Sequence, residues 1–399
     1  MRSLRLCNGR LYFLKGNVSG SHFNSSQFCS IKLGAGDGEE VTVHQQIAFA
    51  RHIISSGHWV YFDEPERSNL ISRMFDTTDN SFEKLEGSIL DAKDNLVVLK
   101  KSTPTMPNTL LFRHLLNNGS NHELVVNLAT LPESLSLVLS TSNHHTLAMG
   151  EHMEAIVVRP AVSNGSLVVM PHGGPNSNYE SYFCPFIANF LSRDFTVLVV
   201  NYTGSIGFGR EGIELLEGAI GEADVGDIIT AIEGARQEFG DFKKIFLFGG
   251  SHGGYIAAML CAKHPNMFSG CIMRNPVIDL QTMSVASDIM DWTFGQLGLP
   301  YDLQAPRAVT ADEAARIFER SPIAHVDHVK TPTLVLIGEQ DKRVPPFQGR
   351  AWHYWLKGKG VPSTLHSFPD TGHSLDSPTA AMRSLLIVNE FLNTHHLGE

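Results

Sequence analysis

The sequence predicts an α/β protein in two parts: an antiparallel β region over residues 1–150, then a domain with a largely parallel sheet over residues 151–399. Three observations lead there. From Glu151 onward, runs of Val, Ile and Leu alternate with segments of helical period, and strands apolar at every position belong to a sheet covered on both faces. Before that point, strand-like runs recur roughly every ten residues between clusters of Gly, Asn, Asp, Ser and Pro. The composition, 42% hydrophobic and 18% charged, suits a chain that buries a large core and excludes a disordered or fibrous protein.

In chain order, the first part offers "RLYFLKG", "IAFARHIIS", "HWVYFDE", "NLISRMFD", "NLVVLKK", "TLLFRHLL" and "SLSLVLST" as short strands. Their spacing predicts antiparallel meanders, as in a sandwich or the blades of a propeller. The second part offers the strands "EAIVVRP", "SLVVMP", "TVLVVNY", "KIFLFG", "GCIMRNP", "TLVLIG" and "STLHSFP". Between or after them, "SYFCPFIANFLSRD", "ADVGDIITAIEGARQEFG", "GGYIAAMLCAKHP", "ADEAARIFERSP", "FQGRAWHYWLKGKG" and "AAMRSLLIVNEFLNTHH" carry helical periodicity.

A net charge of −10 provides no attraction for a phosphate backbone or an anionic bilayer, so neither nucleic acid nor membrane is an expected partner. The opening "MRSLRLCNGRLYFLKGN" meets Asn8, Gly9 and Arg10 too early for a secretory apolar core, and no run of about 18 apolar residues follows. The five cysteines are widely spaced and odd in number, which points to a reducing, cytoplasmic compartment. The sequons at Asn17, Asn24 and Asn118 are then chance matches. "GAGDG" at 34–38 and "GSIGFG" at 204–209 lack the context of a dinucleotide fingerprint, and no HExxH or Cys/His cluster occurs, so no cofactor and no metal are expected.

In an open parallel sheet, ligands sit beyond the carboxyl ends of the strands, and four of those loops carry chemistry. After "KIFLF" comes Gly249-Gly250-Ser251-His252-Gly253, a G-x-S-x-G whose glycines permit a sharp turn that lifts a serine out at a helix N-terminus. A serine nucleophile needs a base and a carboxylate to orient it, and in the order of the α/β-hydrolase fold both follow on later loops. Asp341 stands after "TLVLIG", with Glu339 as a local competitor, and His373 stands after "STLHSFP". The fourth loop, His172-Gly173-Gly174-Pro175, offers the Gly174 amide, which with the His252 amide would hold an oxyanion.

Together, "VVMPHGGPNS", "VVNYTGSIGFG", "FGGSHGGYIAA", "MRNPVIDL", "KTPTLVLIGEQDKRVPP" and "FPDTGHSL" resemble the prolyl oligopeptidase family of serine peptidases, and within it the acylaminoacyl peptidases. Upstream, "LDAKDNLVVLKKSTPTMPNTLLF" is similar to the last blades of such an enzyme's propeller. The resemblance implies a C-terminal α/β-hydrolase domain capped by an N-terminal β-propeller, which with only about 150 preceding residues is expected to be incomplete. It implies Ser251, Asp341 and His373 as triad, Gly174 and His252 as oxyanion donors, and Arg274 as a polar contact near substrate or else a structural ion pair. Thr203 stands where the family commonly has Arg. The implied activity is release of an N-acylated amino acid from short N-acylated peptides by a cytoplasmic homo-oligomer. A broader serine oligopeptidase or esterase, and a catalytically silent binding module, are the competing readings.

Overall fold

The computed structural model describes residues 2–16, 26–33, 41–47, 53–115, 121–302 and 304–396. The three sequons and the 34–38 glycine stretch lie outside them, as do residues 48–52 of the expected strand "IAFARHIIS". The chain forms two compact units: Met1–Asn143 with Glu180–Ala188 and Ile206–Glu211, and His144–Tyr179 with Asn189–Ser205 and Gly212–Glu399.

The first unit holds three four-stranded antiparallel sheets, each formed by strands consecutive in sequence. They are β1–β4 (Arg2–Cys7, Arg10–Gly16, Ser26–Lys32, Thr42–Ile47), β5–β8 (Ile53–Ser56, Trp59–Glu66, Asn69–Asp76, Phe82–Leu85) and β9–β12 (Ser88–Lys93, Leu96–Thr103, Met106–Leu115, Asn121–Asn127). The middle sheet shows why they stack as propeller blades. Successive side chains of a strand face opposite ways. Val60, Phe62 and Phe75 therefore pack with Tyr12, Leu14 and Phe28 of the first blade, while Tyr61 and Met74 pack with Ile89, Val97, Leu99 and Leu111 of the third. Phe28 is fully buried, its ring 5.0 Å from Phe62 and 5.2 Å from Phe75, and a burial of that size is worth about 2–3 kcal/mol.

One expected strand is a helix. "SLSLVLST" alternates Ser and Leu like a half-buried strand, yet it forms α1 (Glu133–Thr141). Leu135, Val138 and Leu139 share one helical face and turn inward, whereas Leu137 is 63% exposed, so the period that decides is 3.6 and not 2.

The second unit is built on an eight-stranded sheet, β13–β20: Asn143–Ala148, Glu154–Arg159, Ser166–Pro171, Thr196–Asn201, Lys244–Gly250, Gly270–Arg274, Thr333–Gly338 and Ser363–Phe368. Its order is β13-β14-β16-β15-β17-β18-β19-β20, with β14 antiparallel to β16 and the strands from β16 to β20 mutually parallel. The remaining helices are α2 (Pro185–Leu191), α3 (Gly209–Glu214), α4 (Ala223–Phe239), α5 (His252–Lys263), α6 (Leu280–Ala286), α7 (Asp291–Gln296), α8 (Ala311–Glu319), α9 (Phe347–Gly358) and α10 (Pro378–His396). Alternate strand residues Leu167, Val169, Leu247, Met273 and Val335 join one core with α4 and α5. Their neighbours face the other way, where Phe246 meets Phe195 and Phe248 meets Phe190. Both faces are covered, which is why these strands are apolar throughout. This is the α/β-hydrolase architecture, and it aligns the carboxyl ends of β15, β17, β18, β19 and β20 along one edge.

Candidate active site

The β17–α5 junction is shaped by what its glycines leave out. A Cβ on Gly249 would lie 2.2 Å from the Gly253 carbonyl oxygen, one on Gly253 2.3 Å from that of Pro171, and one on Gly254 2.7 Å from the Pro276 side chain. The turn closes only with hydrogen at those positions. Ser251, at its apex, is held at φ 57 and ψ −123, left-handed backbone that an L-residue occupies at a cost of about 1–3 kcal/mol. Three hydrogen bonds offset that strain: Ser251 N–H donates to the Arg274 carbonyl at 2.9 Å, and the Ser251 carbonyl accepts from Tyr255 at 3.1 Å and Val277 at 3.2 Å.

The loops after β19 and β20 meet. The Asp341 side chain is fully buried; its Oδ1 accepts the backbone N–H groups of Arg343 (2.8 Å) and Val344 (3.0 Å), and its Oδ2 accepts from His373 Nδ1 at 2.7 Å. Glu339 is engaged elsewhere, by the Arg350 guanidinium on α9, at 2.6 Å through its Oε2. Asn275, after β18, ties the two loops: its amide donates to the His373 carbonyl at 2.9 Å and its Oδ1 accepts from Gly338 N–H at 2.8 Å. Arg274 adds a second tie, from Nη2 to the Ser374 carbonyl at 2.7 Å. The histidine loop is thus gripped at His373 and Ser374.

The β15 loop lies against the serine, since a Cβ on Gly173 would come within 3.2 Å of Ser251 Cβ. His172 sets its orientation. Burial pushes the His172 pKa down to about 3, so the ring is neutral. Its Nδ1 lies 2.7 Å from the Gly173 carbonyl, which can only accept, so Nδ1 donates there, and Nε2 lies 2.7 Å from the hydroxyl of Ser205, which itself donates to the Tyr202 carbonyl at 2.5 Å. The Tyr202 ring stacks on the imidazole at 4.2 Å, and its hydroxyl donates to the His172 carbonyl at 2.8 Å. In a trans peptide the C=O and N–H point opposite ways, so fixing the Gly173 carbonyl also aims the Gly174 N–H. Trp292 Nε1 holds the next carbonyl, that of Gly174, at 3.0 Å. The His252 amide opens α5 and has no partner within its helix.

A neutral buried histidine makes acid destabilising. The native pKa of His172 is depressed below 6.5, so between about pH 6.5 and 3 the unfolded chain binds the extra proton and stability falls as pH falls. His144, His395 and His396, lowered chiefly by burial, act in the same direction. Urea titrations between pH 4 and 6 are expected to give a slope of unfolding free energy against pH that is shallower in His172→Gln than in the wild type by about 1.4 kcal/mol per pH unit. Equal slopes would show that His172 is already charged in the native state.

The junction thus places Ser251 at the turn with the His252 amide directly after it, the backbone at Gly173 against the serine and the His373–Asp341 pair on neighbouring loops. His172, Asn275 and Trp292 were not legible as residues that shape the site: the first two have a weak local signal in directly following apolar strands, and Trp292 has none.

The sequence model of the prolyl oligopeptidase family matches residues 182–398, just over half of the chain. The acylamino-acid-releasing enzyme of Rattus norvegicus is 32% identical over 358 residues, covering 84% of this chain and 48% of that protein. That of Arabidopsis thaliana is 35% identical over 251 residues, or 61% of this chain and 32% of the relative. The chain spans about half the length of the mammalian relatives it matches. Among solved structures, a Mycobacterium tuberculosis puromycin-hydrolyzing peptidase superposes with TM-score 0.76 at 20% identity, over 98% of this chain and 69% of that one. An acylaminoacyl peptidase of Pyrococcus horikoshii superposes with TM-score 0.75 at 16% identity, over 98% and 70%. At those identities the likeness is one of fold.

Proposed function

Because the chain belongs to the prolyl oligopeptidase family, we propose that it is a serine peptidase releasing an N-acylated amino acid from short N-acylated peptides. The observation that carries this reading is Ser251, held in left-handed backbone between glycines that tolerate no side chain. Such strain persists where a reactive group must be presented. The name of the similar acylamino-acid-releasing enzymes supplies the substrate class.

Asp341 keeps the His373 proton on Nδ1, which leaves Nε2 free to act as base. As His373 takes the hydroxyl proton, Ser251 Oγ bonds to the carbonyl carbon of the acylated residue, and the carbonyl π pair moves to oxygen. The Gly174 and His252 amides hold that oxyanion. The intermediate collapses as the C–N bond breaks; His373 returns the proton to the leaving amine, and the shortened peptide departs. Water, deprotonated by His373, then attacks the acyl carbon; the ester C–O bond breaks, His373 returns the proton to Ser251 Oγ, and the N-acyl amino acid leaves. A cytoplasmic setting belongs to the same reading and accords with five unbridged cysteines; no helix among the described residues is long and apolar enough to cross a membrane.

Initial rates on N-acetyl-alanyl p-nitroanilide and on unblocked alanyl p-nitroanilide test the substrate class. The acetylated compound is expected to have kcat/KM higher by about tenfold or more. Equal values, or a preference for the free amine, would count against acyl-peptide release.

A further inference from the structure

Asp224 is a carboxylate with zero exposed side-chain surface, in the first turn of α4 and outside every loop that carries the proposed chemistry. A buried carboxylate persists only when its oxygens are satisfied, and these are. Oδ1 accepts from the backbone of Gly221 at 2.6 Å and Val225 at 2.9 Å, and Oδ2 accepts from His252 Nε2 at 2.8 Å. The His252 side chain is equally inaccessible. Its ring is boxed in, stacked on Tyr255 at 4.9 Å and met edge-on by Trp292 at 5.8 Å. The same Trp292 donates through Nε1 to the Gly174 carbonyl at 3.0 Å.

One continuous path therefore runs from Asp224 through the His252 ring and Trp292 to Gly174. It joins the two residues whose amides the proposed mechanism assigns to the oxyanion. His252 follows the strained Ser251 directly, so the rotation of its backbone is set by where its side chain is fastened. We propose that Asp224 is a positioning residue: by anchoring the His252 imidazole it aims the His252 amide and, through Trp292, keeps that donor in register with the Gly174 amide. The inference rests on the oxyanion assignment of the proposed function. It adds a residue 28 positions before His252 that never touches substrate.

The test uses the full chain and a fluorophosphonate probe, whose P=O must enter the oxyanion site for Ser251 to be labelled. Asp224→Asn is expected to lower the labelling rate constant about ten- to a hundredfold, in samples whose circular dichroism is native. The same change is expected in kcat on N-acetyl-alanyl p-nitroanilide, with KM within about threefold and the midpoint of the pH–rate profile unmoved, since His373 remains the base. Ile232→Val, buried on the same helix, controls for lost stability and is expected to label at the wild-type rate per folded molecule. Should Asp224→Asn not fold, two variants further along the path decide: His252→Phe keeps a ring without the donor to Asp224, Trp292→Phe keeps a ring without the donor to the Gly174 carbonyl, and each is expected to be slowed about tenfold or more with KM within about threefold. A folded Asp224→Asn that labels like the wild type overturns the inference alone, as does a folded His252→Phe or Trp292→Phe that labels like the wild type. An unlabelled wild-type protein overturns the serine-peptidase reading and this inference with it.

Discussion

Replacing Ser251 by alanine is expected to abolish fluorophosphonate labelling and to lower kcat on N-acetyl-alanyl p-nitroanilide by about 10⁴-fold or more, with the fold intact. Alanine keeps the Cβ, so backbone held at φ 57 is no more strained than before. The hydrogen bonds that hold the turn involve the Ser251 main chain and survive the change. Stability is therefore expected to move by less than about 1 kcal/mol, which a urea titration would read. Labelling or turnover retained in a purified Ser251→Ala sample would remove the serine from the mechanism.

Asp341→Asn is expected to be nearly as damaging, about 10⁴-fold in kcat with little change in KM, for a reason visible in the bonds around the side chain. Arg343 and Val344 both donate backbone N–H groups to Oδ1. An asparagine must keep its carbonyl oxygen there or leave two donors facing its amide. Its NH₂ then points at His373 Nδ1, which has to become an acceptor. The imidazole proton moves to Nε2, and the nitrogen that should take the serine proton is blocked. Glu339→Gln is the matching control: Glu339 is bound to Arg350, so its loss is expected to change kcat less than about threefold. A fall of less than tenfold in Asp341→Asn, or equal falls in the two variants, would transfer the orienting role away from Asp341.

Much of the second unit was legible because each of its signals is local. A run such as "TLVLIG" carries four consecutive apolar residues because both faces of its strand are covered, and that separates it from the half-buried strands of the first unit. The glycines around Ser251 could be read as a turn; that Gly249 and Gly253 are demanded by carbonyl oxygens about 2 Å from where a Cβ would stand is a fact of packing. Where local signals conflict, reading the chain fails. In "SLSLVLST" a two-residue alternation overlies a helical face of Leu135, Val138 and Leu139, and the buried side of α1 decides between them. β12 escaped notice for the opposite reason: Leu124, Val125 and Val126 are all exposed, so no alternation marks the strand.

The sequence by itself determined the order of strands β14 to β20 and of helices α2, α4, α5, α8, α9 and α10 in the α/β domain, and which loops follow strands that can share one sheet edge. Both depend on residues near one another in the chain, through hydrophobic period and glycine geometry. Tertiary structure brought Asp341 and not Glu339 to His373: a single residue separates the two in the chain, while the direction of each side chain depends on His373 and Arg350 far downstream or on another element. It alone also brought Trp292 to Gly174 across 118 residues and Asp224 to His252 across 28. A hydrogen bond needs two groups within about 3 Å, and for residues so distant in sequence only the packing of α4, α5 and α7 around the sheet supplies that proximity.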